Sequence, residues 1–251
     1  MRDDRMSRNQ FIDMLDRYAR EGRTAKLWLR DDDAIEPTEP LSRLVALSAR
    51  WDAPMTIAAI PAHATPALAS FLRDMPLISV AVHGWDHRNY ATVFEKKQEL
   101  GLHRGEDVVV TRLTDGLARI KDLFGEQAIP LLVPPWNRIA PALIPRIATL
   151  GYEALSVFGP ERDGASLQMV NTHLDIIDWK GSRGGRAFDP LYAEATARLQ
   201  ATDGAETRLG ILTHHLVHDE AAWAFLDDFL AVTTAHPACR WVRVETLMRR
   251  G

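Results

Sequence analysis

Residues 26–33 read Lys-Leu-Trp-Leu-Arg-Asp-Asp-Asp, and residues 77–87 read Leu-Ile-Ser-Val-Ala-Val-His-Gly-Trp-Asp-His. Both are apolar runs of strand length that stop abruptly in ionisable side chains. A run of roughly four to eight apolar residues bounded by polar ones suits a strand buried on both faces, as in a parallel sheet. Working outward, similar runs occur at 55–60, 129–133, 154–158, 170–177, 208–213 and 241–244. Segments of helical period separate them at 8–20, 41–51, 66–75, 107–124, 141–150, 190–200 and 220–235, with a last one at 245–250. This alternation predicts repeated βα units around a parallel sheet, and seven or eight units fit a barrel. The chain of 251 residues is expected to form a single domain over 1–251.

Local chemistry supports several of these boundaries. Thr65-Pro66 places a cap ahead of a proline in the first helical turn, where the missing N–H costs nothing. Residues 101–105 and Asp203-Gly204 read as turns, and 182–186 as a short flexible stretch inside a regular pattern. No repeat of fixed period and no low-complexity tract interrupts the alternation.

Composition narrows the function classes. Apolar residues make up 46% and charged residues 25%, which argues for a compact globular fold rather than disorder. A formal charge of -4, with no long Lys/Arg block, gives no general attraction for phosphate backbones, so no nucleic-acid partner is expected. Cys239 is the only cysteine, so a metal site would have to be built from His and carboxylate ligands. The polar start at 1–10 lacks the apolar stretch of a secretory signal, which makes a cytoplasmic location the expectation. No apolar run approaches the ~20 residues needed to span a bilayer.

Asp31, Asp32 and Asp33 put three carboxylates at one strand end. By itself such a run is usually an acidic turn in water. His83 and His87 follow another strand; if a helical turn begins there, their spacing puts both imidazoles on one face, where they can close on one metal ion. Alone, a pair at this spacing is weak evidence for a ligand role, because histidines more often cap helices or bond in cores. It is not the metalloprotease zinc helix, because Gly84 stands where that motif requires Glu. Together, the acidic cluster and the pair form a His₂-carboxylate set that leaves coordination positions open for water and substrate.

Chemistry in parallel α/β barrels sits where strands end, and three further strand ends carry suitable groups. Pro134-Pro135-Trp136-Asn137 can present a backbone N–H as an oxyanion donor beside an aromatic wall, or can be a plain turn. Asp175-Ile-Ile-Asp178-Trp179 and Thr213-His214-His215 follow, the histidines fitting a buried hydrogen-bonded role as well.

In their order, these motifs resemble the polysaccharide deacetylase family of carbohydrate esterases, which includes the nodulation-type chitooligosaccharide deacetylases. The resemblance runs from Leu27 to Asp219 and offers counterparts to all five family motifs. It implies a distorted (β/α) barrel of about seven parallel strands. It also implies a divalent metal, with zinc the expected ion, held by Asp33, His83 and His87. Asp32 matches the general base, with a shift to Asp31 and Asp32 as the alternative register. Pro135 and Trp136 match the groove segment whose amide helps bind the oxyanion, and Asp178 and Trp179 match the fourth motif. His214 matches the general acid, with His215 as the alternative, and Asp178 would orient that imidazole. Trp85, Trp136 and Trp179 are candidates to line a cleft for sugar rings.

Two positions depart from the family pattern. Val133 replaces the arginine that usually precedes the proline-aromatic element, and Ala34-Ile35 replaces the usual Gly-Pro. The expectation is therefore a divergent deacetylase acting on an N-acylated sugar, oligosaccharide or related small amide. A metal-dependent amidase for a non-carbohydrate C–N bond and an idle glycan-binding barrel are the alternatives.

Overall fold

The computed structural model describes residues 6–161, 166–202, 204 and 206–248. Asp203 of the second expected turn and the end of the last expected helix, at 249–250, lie outside the described residues. Helices and strands alternate as expected for the α/β class, and each strand pairing described is parallel. The chain divides into two compact units: 1–31, 38–55 and 172–243 in one, and 32–37, 56–171 and 244–251 in the other.

In the first unit, β1 (Thr24–Ala34, continuing into the second unit after Asp31) pairs with β8 (Glu206–Thr213) in continuous register from Thr24↔Glu206 to Asp31↔Thr213. β7 (Leu174–Asp175) lies on the other side of β8, and β9 (Cys239–Trp241) also pairs with β1. The helices of this unit are α1 (Met6–Arg20), α2 (Glu39–Arg50), α6 (Phe188–Gln200) and α7 (Glu220–Ala235). Two begin on side-chain caps: Thr38 accepts the Leu41 amide at 3.1 Å, and Asp219 accepts the Ala222 amide at 2.9 Å. Each satisfies a donor that a helix start would leave orphaned, worth about 1 kcal/mol. The core gathers Phe11, Tyr192, Phe225 and Phe229, with neighbouring ring centroids 5.4–5.8 Å apart.

In the second unit the strands run in the order β6 (Gln168–Met169), β5 (Ala154–Leu155), β4 (Ala128–Val133), β3 (Ile78–His83), β2 (Met55–Ala59, entering from the first unit). β2 and β3 are buried at every residue, which explains their largely apolar sequence, and the buried hydroxyls of Thr56 and Ser79 pair with each other at 3.2 Å. A register shift interrupts the β3–β4 pairing between Val80 and Val82. The helices are α3 (Pro66–Leu72, capped by Thr65), α4 (Glu106–Phe124), α5 (Ile144–Thr149) and the short α8 (Glu245–Met248). Gly116 lies inside α4, where a β-carbon would come within 3.3 Å of both the Gly84 carbonyl oxygen and Pro61. A glycine in a helix interior costs roughly 0.5–1 kcal/mol, and here it lets the helix seat against the chain just beyond β3. Because all these strands are parallel, His83 at the end of β3 and Val133 at the end of β4 reach the same edge, paired in register.

Candidate metal centre

Asp33, His83 and His87 converge. One oxygen of the Asp33 carboxylate lies 3.0 Å from His83 Nε2 and 3.2 Å from His87 Nε2, and the three ligand atoms fall within 4.8 Å of one another. They form the one group of three or more potential metal ligands among the described residues. His83 is buried, whereas Asp33 and His87 are partly open, with side chains 29% and 23% exposed.

The backbone is bent to achieve this. Asp33 has φ 76° and His87 φ 55°, both in the left-handed region that side chains usually avoid. Trp136 and Asn137, at φ 55° and 56°, share that conformation in the 3₁₀ turn Pro135–Asn137 after β4. The Trp136 ring stands 4.5 Å from the His87 ring, and Pro135 is buried below Gly84. Four of the six non-glycine residues with positive φ among the described residues thus belong to this cluster, so backbone strain is concentrated where the chemistry is expected.

His83 and His87 share no helical turn, contrary to the expectation from their spacing: β3 ends at His83 and an irregular turn carries His87. That turn is built on Glu99, which lies fully buried in an otherwise charged stretch. Its carboxylate accepts the amides of Trp85 at 2.7 Å, Asp86 at 3.3 Å and His87 at 2.8 Å. Burial pushes the Glu99 carboxyl up, and the amide donors offset only part of that rise. Sequence reasoning missed this residue. The one hint was Gly84, where a β-carbon would come 2.7 Å from both Glu99 Oε2 and Pro135.

The electrostatics fit a divalent cation. His83 Nδ1 lies 2.9 Å from the Val133 carbonyl oxygen, which can only accept, so Nδ1 carries a proton, and in the neutral imidazole Nε2 turns its lone pair toward Asp33. At 3.0 Å from a carboxylate oxygen, that nitrogen is held favourably by either a proton or a metal ion between the two atoms. Burial, and next the neighbouring His83, pushes His87 below its ordinary value despite Asp33 and Asp32, favouring the neutral imidazole that metal binding requires. The set also follows the usual second-layer arrangement, with a ligating imidazole donating its far N–H to a carbonyl.

Asp32 is buried, 2% exposed, and belongs to the same unit as the cluster. The other candidates belong to the first unit. Asp31 and His215 form a buried pair, with His215 Nδ1 2.6 Å from Asp31 Oδ2, while the His215 amide and the Thr213 hydroxyl both donate to Asp31 Oδ1 at 2.8 Å. The Trp179 ring meets His214 edge-on at 4.6 Å, and Trp179 Nε1 donates to Asp175. Asp178 accepts the amides of Gly181 at 3.0 Å and Ser182 at 3.2 Å, and these loop amides hold it below the ordinary carboxylate value. Arg186 pairs with Glu194. Trp223 is buried, as expected of a core residue, whereas Trp51 is half-buried and donates to Asp227.

No protein-family model and no curated protein sequence matches the chain. Solved structures do. A Mycobacterium smegmatis protein named as a polysaccharide deacetylase is similar with a TM-score of 0.67 at 16% identity, over 90% of each chain. A family 4 carbohydrate esterase from Streptomyces lividans, in complex with acetate, is similar with a TM-score of 0.56 at 15% identity, over 87% of this chain and 92% of its own. A family 4 acetyl xylan esterase from Clostridium thermocellum, in complex with a cobalt ion, is similar with a TM-score of 0.53 at 17% identity, over 88% and 89%. The chain therefore has the fold of the polysaccharide deacetylases and family 4 carbohydrate esterases, the distorted (β/α) barrel expected from the order of its motifs. No helix among the described residues is long and apolar enough to cross a membrane.

Proposed function

We propose that the chain is a metal-dependent hydrolase that removes an acyl group, an acetyl group in the first instance, from an N-acylated sugar or a related small amide. The observation that carries this reading is the convergence of Asp33, His83 and His87 on one point, with the far nitrogen of His83 held by the Val133 carbonyl. It is supported by the fold shared with deacetylases and esterases, one holding acetate and another cobalt. Asp33, His83 and His87 would hold the ion, for which zinc is the first candidate. A divalent ion bound there supplies Lewis acidity, polarising an acyl oxygen and bringing the pKa of water toward ~7.

The chain's own residues have distinct tasks on this reading. Asp32 takes the proton of the attacking water, a role for a carboxylate placed next in sequence to the ligand Asp33. The backbone N–H of Trp136, in its strained turn, donates to the oxyanion, while Pro135 fixes that turn. His214 returns a proton to the leaving amine, with His215 the alternative donor and Asp178 the carboxylate that orients the imidazole. Trp136 and Trp179 offer aromatic faces to a sugar ring. The net reaction is amide plus water giving carboxylate and amine. The protein is proposed to work in the cytoplasm on a small molecule or oligosaccharide.

The test is direct. Purified protein should carry about one divalent ion per chain and release acetate from N-acetyl sugars, and a chelator should stop the release until metal is restored. Metal-loaded protein that releases no acyl group from any N-acylated sugar or small amide would remove the hydrolase reading.

A further inference from the structure

We propose that Glu99 is the positioning residue of the centre: its buried carboxylate gathers three consecutive amides and holds the turn after β3 so that His87 faces the ion. This rests on the metal reading of Asp33, His83 and His87.

The argument begins with cost. A carboxylate removed from water is expensive unless hydrogen bonds replace its hydration. Glu99 is fully buried, and its carboxylate's donors among the described residues are the backbone N–H groups of Trp85, Asp86 and His87, at 2.7, 3.3 and 2.8 Å. Converging amides of this kind form an anion-binding concavity. Here a side chain from twelve residues downstream fills it, and the carboxylate does for the turn what a bound anion would do.

The geometry links that anchor to the ligand. His87 donates its own amide to Glu99 and sits at φ 55°, a strained conformation that persists only where surroundings enforce it. Gly84 also takes positive φ, 58°, and leaves open the space the carboxylate needs: a β-carbon there would lie 2.7 Å from Glu99 Oε2. Trp85 fixes the other side, accepting the Ala62 amide at 2.9 Å with its carbonyl while Arg112 lies 5.1 Å from its ring centroid. The turn is therefore held through its backbone, with His87 Nε2 facing Asp33 at 3.2 Å. A glutamine at 99 would keep the shape but set an NH₂ against at least one amide N–H, so two donors would face each other.

Cobalt(II) serves as the probe, because its visible spectrum reports the number and geometry of ligands. Wild-type protein, Glu99→Gln and His83→Ala would be titrated with Co²⁺, with unfolding of each metal-free protein followed by circular dichroism. The expected result is that Glu99→Gln, folded without metal, binds Co²⁺ about ten- to a hundredfold more weakly and with an altered spectrum. A folded Glu99→Gln with wild-type affinity and spectrum would overturn the role of Glu99 while leaving the metal reading intact. Absence of saturable Co²⁺ binding to wild-type protein would instead overturn the metal reading, and the role of Glu99 with it. Should Glu99→Gln fail to fold, hydrogen exchange on wild-type protein decides the matter. A preorganised turn protects the Trp85 and His87 amides equally with and without Co²⁺, and protection that arises only on metal addition would overturn the proposal.

Discussion

Asp31 and Asp33 stand two residues apart in one strand, and each has an imidazole within hydrogen-bonding distance, yet the two sites are built on opposite plans. Asp31 is saturated: fully buried, it receives the Thr213 hydroxyl and the His215 amide on one oxygen and faces His215 Nδ1 with the other. Burial pushes its carboxyl up, but His215, His218 and Thr213 outweigh that effect and hold it below its ordinary value. Asp33 is partly open, strained at φ 76°, and turns a single oxygen to two imidazole nitrogens. A closed network of this kind fixes structure. The Asp33 set instead brings one carboxylate oxygen and two imidazole nitrogens within 4.8 Å of one another, the geometry on which the metal proposal rests. On that proposal, proximity of Asp and His does not by itself make a metal site; what counts is how much of their hydrogen-bonding capacity is already taken.

That contrast can be broken in graded steps. The largest effect is expected at the open site. His83→Ala should abolish both metal retention and acyl release, whereas His215→Ala should bind metal as wild type does; equal metal content in the two variants would erase the distinction. Next comes Asp32→Asn, which should keep the metal but lose about 10²–10⁴-fold in turnover, the usual contribution of a general base. If Asp32→Asn loses the ion and Asp33→Asn keeps it, the register shifts by one residue.

The closed site should answer in stability. Asp31→Ala leaves His215 buried without its partner and should cost about 3–5 kcal/mol in urea unfolding. The smallest effect concerns pH. Because Asp31 titrates lower when folded than its ordinary 3.8, its contribution is complete above that value and is lost as pH falls through the folded one. Asp31→Asn should therefore flatten the acid limb of the stability profile, and an unchanged slope would show that other carboxylates set it.

Much of this was legible in the sequence. Helix α7 was bounded correctly at 220–235, because Asp219 caps it and its apolar face has helical period. Strand ends alone offer the Asp31–Asp33 cluster and the pair His83 and His87, and the family resemblance singles out Asp33, the carboxylate that converges with both imidazoles. Other features depend on tertiary partners. β1 extends through Asp33 to Ala34 rather than stopping at Arg30, because pairing with β8 continues to Asp31↔Thr213. The run at 170–177 was expected as one strand, but only Leu174–Asp175 forms ladder there, with Gln168–Met169 before it. Between them Asn171 accepts the Val157 amide and donates to the carbonyls of Gly159 and Pro160, contacts that periodicity does not register. The helix expected at 141–150 opens as a 3₁₀ turn, and its α-helical part, Ile144–Thr149, carries Pro145 in its first turn. Glu99 was invisible because Glu95-Lys-Lys-Gln-Glu99 reads as a solvated face.

Gly116 gives this centre a remote adjustment. A single methyl group added there would press the Gly84 carbonyl, which must yield by a few tenths of an ångström, and Gly84 begins the turn that carries His87. Helix α4 thus acts as a shim behind the turn that carries His87: on the metal proposal, the setting of that imidazole becomes adjustable from a position that neither touches the site nor carries charge.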